Sequence, residues 1–304
     1  MDKKMTKGRK RPTSFLAVLK NETFMWILLV PTVFALVLCQ WNPIVRGMIT
    51  SFFQTRGFKT VEFVGLQNYI NVLQDSMFLQ TLWNTVQYVL WSIVLGIVPP
   101  LGIAIAINEA VHAKQTFKVL AYVPAIAPAL AVSIIWKNLF SPAPGGLFNQ
   151  LLLSLGLPTS QWLLNENLTI PLIILTMTWS GYATTMLLYL TALQSLSQDL
   201  YEAAVVDGAG VWRRIFRITL PHLSPTILLL VVRQIIGVFQ VFDQPLVMTD
   251  GGPNNASLSM GLTAYKLAFS YMSVDRAMAL GTVSFCILIF ATLFYFRMEK
   301  KLAK

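Results

Sequence analysis

Charge is scarce in this chain, and cysteine scarcer still. Only 12% of its 304 residues are Asp, Glu, Lys or Arg, against roughly 25% in soluble globular domains. An ordinary water-soluble fold is excluded on that ground. The two cysteines, Cys39 and Cys286, lie in apolar runs far apart in the chain, so no disulfide framework is expected. His112 and His222 are the only histidines, they stand in separate polar segments, and no H-E-x-x-H occurs. A zinc site or a Ser-His pair has no foundation here. A G-x-x-x-x-G-K-[ST] loop is missing too, and with it any cradle for nucleotide phosphates. No catalytic or metal-binding residue is therefore assigned. Internal repeats, low-complexity tracts and paired interrupted half-spans are likewise lacking.

What is abundant is apolar sequence: 55% of residues are hydrophobic and the mean hydropathy is +0.62. Crossing about 30 Å of hydrocarbon takes roughly 20 apolar helical residues. Six stretches qualify, near 24–40, 82–107, 117–138, 168–193, 224–243 and 277–297, which predicts an all-α, polytopic membrane protein. Short segments rich in Lys and Arg stay on the cytoplasmic side. With the N-terminus inside, 16 of the 23 basic residues fall in cytoplasmic pieces and six in outer ones, so both termini are expected in the cytoplasm. The net charge of +10 is concentrated in MDKKMTKGRKR, just before the first span, where anionic lipid explains it better than nucleic acid does. No small-residue cleavage site follows that span, which is expected to remain as an anchor.

Lys10–Glu22 reads as a short interfacial helix with Phe15, Leu16 and Leu19 on one face. In the first outer segment Leu66, Tyr69, Ile70 and Leu73 recur at helical spacing, predicting an amphipathic helix along the outer surface. Pro99 and Pro100 predict a kinked second span buried against protein, and Pro124 and Pro128 interrupt the third. The next outer segment combines a Pro/Gly turn, a short apolar helix and a tryptophan suited to the interface. The organisation expected is a basic tail and interfacial helix over 1–23, a first span with its outer segment over 24–80, a core over 81–297 containing a cytoplasmic loop at 195–223, and a tail over 298–304.

That loop contains YEAAVVDGAGVWRRIFRITLP, residues 201–221. Asp199 can cap a helix starting at Leu200, with Glu202 reaching back to complete a capping box. Tyr201, Ala204 and Val205 share one face, and Gly208 permits the turn that follows. Trp212, Ile215, Phe216 and Thr219 then form an apolar face opposite Arg213, Arg214 and Arg217. The residues alone leave two readings open: a docking plug for another protein, or a helix pair on the membrane surface with its arginines on phosphates.

The spacing of Glu202, Ala203, Ala204, Gly208, Ile218, Leu220 and Pro221 resembles the EAA loop of importer-type ABC transporter permeases. FVGLQNY, LWNT, WSGY, YEAAVVDGAG and MTDGGPNNAS are similar to the carbohydrate-uptake branch of that family, of the maltose or glycerol-phosphate kind, and the likeness runs from about residue 24 to the end. It implies a type I importer permease (MetI-like) fold in a bacterial-type cytoplasmic membrane. It further implies a non-catalytic chain that pairs with a second permease, meets two ATPase subunits through Tyr201, Glu202, Ala203, Ala204, Asp207, Gly208, Ile218, Leu220 and Pro221, and receives a sugar from an extracytoplasmic solute-binding protein. ATP and magnesium would belong to the ATPase partners, with no cofactor on this chain.

A sugar pathway needs rings and hydrogen-bonding groups inside the membrane. Trp179, Gly181 and Tyr182 in span four, and Arg233, Gln234, Gly237, Gln240 and Asp243 in span five, meet that need; the resemblance adds Val238 and Val241. Gln234 and Gln240 could equally bond a companion permease. Arg233 could meet a neighbouring helix or an acidic sugar, and lies about 15 Å along the helix from Asp243, too far to pair. A transporter driven by an ion gradient is the competing reading, but Asp243 is the single acidic candidate in a span and sits near its outer end.

Overall fold

The computed structural model describes residues 23–110, 112–143 and 145–302, so the basic tail and the helix expected over Lys10–Glu22 lie outside the described residues. The chain divides into two compact units, up to Thr50 and from Ser51 onward. In the first, α1 (Thr23–Leu36), a π-helical turn over Val37–Trp41 and α2 (Asn42–Thr50) follow one another without a break. The span therefore does not stop near residue 40 as expected. The widened turn falls just before Pro43, whose missing N–H would otherwise break the ladder. Its apolar side chains, Val30 and Phe34 among them, are exposed, as they would be in lipid.

The second unit opens on a β-hairpin, the exception to the all-α expectation: β1 (Phe53–Arg56) and β2 (Lys59–Phe63) pair antiparallel around Gly57, with Phe53 opposite Phe63. Short helix α3 (Gln67–Leu73) follows. Its apolar stripe is turned out, with Leu66 62% and Leu73 51% exposed, while Asn68 and Val72 are buried. The reason is hydrogen bonding: Asn68 Nδ2 donates to the carbonyls of Ser51 and Phe53, both at 2.9 Å, and that requirement turns the polar residue inward.

Helix α4 (Ser76–Glu109) is roughly 50 Å long, more than a bilayer's hydrocarbon requires. It continues through both prolines with Pro100 buried and Pro99 exposed, so only one of the pair meets the expectation of burial. The third expected span is a broken one: α5 (Lys114–Tyr122) with a 3-10 turn over Val123–Ile126, then α6 (Ala129–Leu139) at 87° to it. Ala127, the residue before Pro128, is extended as its position demands. After α7 (Leu147–Ser154) comes α8 (Glu166–Leu193), and then α9 (Gln198–Val206). Trp162, between α7 and α8, is partly buried beside the rings of Phe140 and Phe148 and donates its indole N–H to Asn149 Oδ1 at 2.8 Å.

Next, α10 (Val211–Arg214), a π-helical turn over Ile215–Thr219 and α11 (Leu220–Phe239) form one uninterrupted helix of 29 residues. The second loop helix and the fifth span are thus a single rod rather than two elements separated at Pro221. That rod ends at Phe239, short of the expected residue 243; α12 (Asp243–Thr249) is a new helix, followed by α13 (Met260–Tyr265) and α14 (Val274–Leu302). Among the described residues, five helices are long and apolar enough to cross a membrane, or six counting the bent pair as one.

In this unit α4 and α8 pack side by side with α11 against both. By connectivity, one end of this bundle carries residues 195–223, the loop face, and the other carries the hairpin, the hairpin face. Tyr88, Ile170, Ile173 and Val238 form a core toward the hairpin face; Ala104, Met186, Leu190 and Leu223 form one toward the loop face.

Between α12 and α13 the backbone is irregular, yet Ser257, Leu258, Ser259 and Met260 are buried. Buried backbone polar groups must find partners. A stripe on α4 supplies them: Asn84 Nδ2 donates to the carbonyls of Asn255 (2.7 Å) and Leu258 (3.1 Å), Tyr88 donates to Ser257 O (3.0 Å), and Thr85 Oγ1 accepts from Met260 N–H (3.0 Å). The MTDGGPNNAS turn is thus held against α4. Asn84→Leu strands two carbonyls and should destabilise the protein by about 1–3 kcal/mol, read as a lower unfolding midpoint in detergent, whereas Gln74→Leu at the exposed position just after α3 should leave the midpoint unchanged.

Candidate functional site: an exposed loop and a cavity between three helices

At the loop face α9 starts at Gln198, two residues earlier than the capping rule suggests. Ser197 occupies the N-cap without a side-chain bond and Asp199 lies in the first turn, so the expected Asp199–Glu202 capping box is not formed. Asp199 instead places negative charge at the helix N-terminus, which favours it. The helix closes on Gly208 at φ +74°. Gly208 N–H donates to Val205 O at 3.0 Å and Ala209 N–H to Ala204 O at 2.8 Å, the paired bonds of a glycine-terminated helix.

This geometry turns Glu202, Ala203, Asp207 and Gly208 outward and sets Tyr201 and Ala204 partly inward. Val205 does not share the packed side with them; it is exposed. Ile218 and Leu220 are half-buried and Pro221 is exposed on the rod that follows. The apolar face expected on that rod is split: Thr219 is buried and Ile215 half-buried, while Trp212 and Phe216 stack on each other at 6.2 Å and stand 73% and 62% exposed.

Beneath the loop is a polar node that sequence reasoning missed. Glu109, the last residue of α4, accepts from Tyr201 Oη at 2.5 Å through Oε1 and pairs with Arg214 Nη2 at 3.0 Å through Oε2. Tyr201 Oη also meets Thr219 Oγ1 at 2.8 Å, and the Arg214 guanidinium lies over the Tyr201 ring, 5.4 Å from its centre. Arg214 is consequently not on the outer, phosphate-facing side with Arg213 and Arg217, which are exposed. Burial first, and then the Glu109 carboxylate, push the Tyr201 phenol above the ordinary tyrosine range, so it remains a proton donor. The available signal was a lone acidic residue ending an apolar span. His222 ties the base of the same loop to Ser195, just past the end of α8, through Oγ at 3.1 Å.

Midway between the faces, α4, α8 and α11 line a partly open cavity of about 290 Å³. Of the expected pathway residues it collects Gly181, Tyr182, Gln234, Gly237 and Val238. Gly96, Met177, Thr178 and Thr185 join them, unforeseen. Gly96 is there for space: a Cβ on it would lie 2.8 Å from Gln234 Nε2. The other five are elsewhere. Trp179 packs edge-on to Trp136 at 6.0 Å, Val241 is in the core, Gln240 is an exposed cap on α11, Asp243 begins α12 and Arg233 is exposed beside the cavity residues. Arg233 and Asp243 do not even share a helix, since the rod breaks between them.

Comparison with known proteins gives the same picture from outside. The family model described as "Binding-protein-dependent transport system inner membrane component" matches residues 98–303. The chain is 30% identical over 269 residues to the probable ABC transporter permease protein YurN of Bacillus subtilis, covering 87% of this chain and 91% of that one. It is 32% identical over 235 residues to the arabinooligosaccharides transport system permease protein AraP of the same organism (77% and 75% covered). With the lactose transport system permease protein LacF of Rhizobium radiobacter it shares 30% over 286 residues (91% and 94%). A crystal structure of a bacterial ABC transporter involved in the import of the acidic polysaccharide alginate has the same fold, with a TM-score of 0.84 at 24% identity over 95% of this chain and 99% of that one.

The loop geometry makes its own demand on residue 208. Gly208→Val forces a β-branched residue into the left-handed region and should lower stability by about 1–2 kcal/mol, seen as faster proteolysis within 195–223, while Gly208→Asn should be closer to wild type.

Proposed function

The chain belongs to the family of binding-protein-dependent transport system inner membrane components, and on that footing we propose that it is one permease of an ATP-driven importer of sugars or oligosaccharides. The observation that carries the reading is an exposed EAA loop joined through the chain to α8 and α11, two of the three helices that line the cavity. Relatives named for arabinooligosaccharide and lactose transport support the substrate class. The cavity supports it chemically: Tyr182, Gln234, Thr178 and Thr185 offer hydrogen bonds to hydroxyl groups, and Gly181 and Gly237 leave room for a ring.

In this reading the chain does no bond chemistry. A second permease completes the pathway, two ATPase subunits carry ATP and magnesium, and a solute-binding protein delivers sugar at the hairpin face. Both termini lie in the cytoplasm, as the distribution of basic residues favours. The outward side of α9, with Glu202, Ala203, Asp207 and Gly208, enters the ATPase surface, where the small alanine permits close approach. Closure of the ATPase pair upon ATP moves α9 as a rigid body. Because α8 leads into the loop and α10–α11 leads out of it, the helices lining the cavity move with it, and the cavity alternates its opening.

The test is uptake into proteoliposomes holding the co-purified complex, with labelled arabino- and malto-oligosaccharides as probes and the binding protein outside. Uptake should require ATP and collapse with Gly208→Pro, which also should release the ATPase from a pull-down. Uptake that survives removal of ATP while an ion gradient remains would overturn the reading. Gly96→Val, which displaces the Gln234 amide into the cavity, should reduce uptake while the complex stays assembled.

A further inference from the structure

Three helices line the cavity, but only two of them are joined through the chain to the coupling loop. α8 enters it directly and α11 continues from it, whereas α4 ends at Glu109 and its chain departs into α5. Apolar packing holds α4 against its neighbours, but such contacts are non-directional. Glu109 is the directional tie. One carboxylate oxygen takes the Tyr201 hydroxyl from α9 at 2.5 Å and the other takes the Arg214 guanidinium from α10 at 3.0 Å. The pair is largely enclosed, with side chains 18% and 15% exposed, on the wall of a groove of about 730 Å³ that also includes Lys114 and Glu202. Charge-assisted bonds of this kind are short and oriented, and an enclosed charge whose partner is removed is strongly disfavoured.

We infer that Glu109 is a positioning residue for energy coupling: it makes the end of α4 follow the coupling loop. Gly96, whose bare backbone lies against Gln234 in the cavity, is about 20 Å up the same helix, within reach of a rigid-body tilt. Movement received at α9 is thereby passed to all three walls, to two through the backbone and to the third through this carboxylate. The inference rests on the importer reading above.

It is tested in the complete reconstituted transporter, by measuring oligosaccharide taken up per ATP hydrolysed together with the ATPase content of the purified complex. Glu109→Ala should keep the ATPase bound and hydrolysing while uptake per ATP falls about tenfold, the scale of ordinary coupling between sites. Glu109→Gln retains an acceptor for Tyr201 but no charge for Arg214 and should fall part of the way. Glu109→Arg combined with Arg214→Glu restores the pair in reverse and should exceed either single reversal, a rescue that loss of packing alone does not produce. Should Glu109→Ala fail to assemble, Glu109→Gln and Tyr201→Phe measure the same ratio. A wild-type ratio in all of these variants, or a double reversal no better than the singles, overturns the inference and leaves the importer reading intact. Wild-type complex without ATP-dependent uptake overturns both.

Discussion

A protein interior offers no water to an unpaired amide, and the second unit is organised around that constraint. Its irregular stretch between α12 and α13 would be intolerable if left to itself. The buried polar stripe of α4, Thr81 through Tyr88, is what makes it possible, and other features depend on the stretch in turn. Ser259 Oγ accepts the N–H of Leu262 and donates to the carbonyl of Val241, just past the end of α11. Gly261 lies so close to that turn that a Cβ would meet Gln240 O at 2.4 Å. The end of the fifth span is therefore a tertiary decision, made by a segment twenty residues further along.

Holding the hairpin face by hydrogen bonds leaves the loop face to be held differently. There the helices pack through alanine, leucine and methionine, and direction comes from one carboxylate, one guanidinium and one phenol. The cavity lies between these two regimes. Each of its three walls carries a glycine, Gly96, Gly181 or Gly237, beside larger residues such as Met177, Tyr182 and Gln234.

Much of this was readable in advance. Long apolar runs placed the helices because a 3.6-residue repeat in hydrocarbon has few alternatives, and the EAA spacing marked the exposed side of α9. The hairpin around Gly57 escaped notice because a short two-stranded ribbon leaves little periodic signal. The loop arginines were placed on one side by their spacing, yet Arg214 turned inward, since a helical wheel cannot know that Glu109 waits more than a hundred residues earlier in the chain. Trp212 and Phe216 share an apolar side with Ile215 and Thr219, yet they alone of the four are exposed: periodicity reports which residues share a side, and only the neighbours decide whether that side is covered.

By itself, then, the sequence determined what is local or compositional. The approximate places of the apolar helices, the glycine-ended loop helix and the family pattern all follow from residue type at short spacing. The tertiary structure alone decided which five of ten polar or small candidates share a cavity, where the fifth span stops and how α4 is bound to the loop. Those are contacts between residues far apart in the chain, and their geometry is set by the packing of whole helices, which no short window of sequence contains.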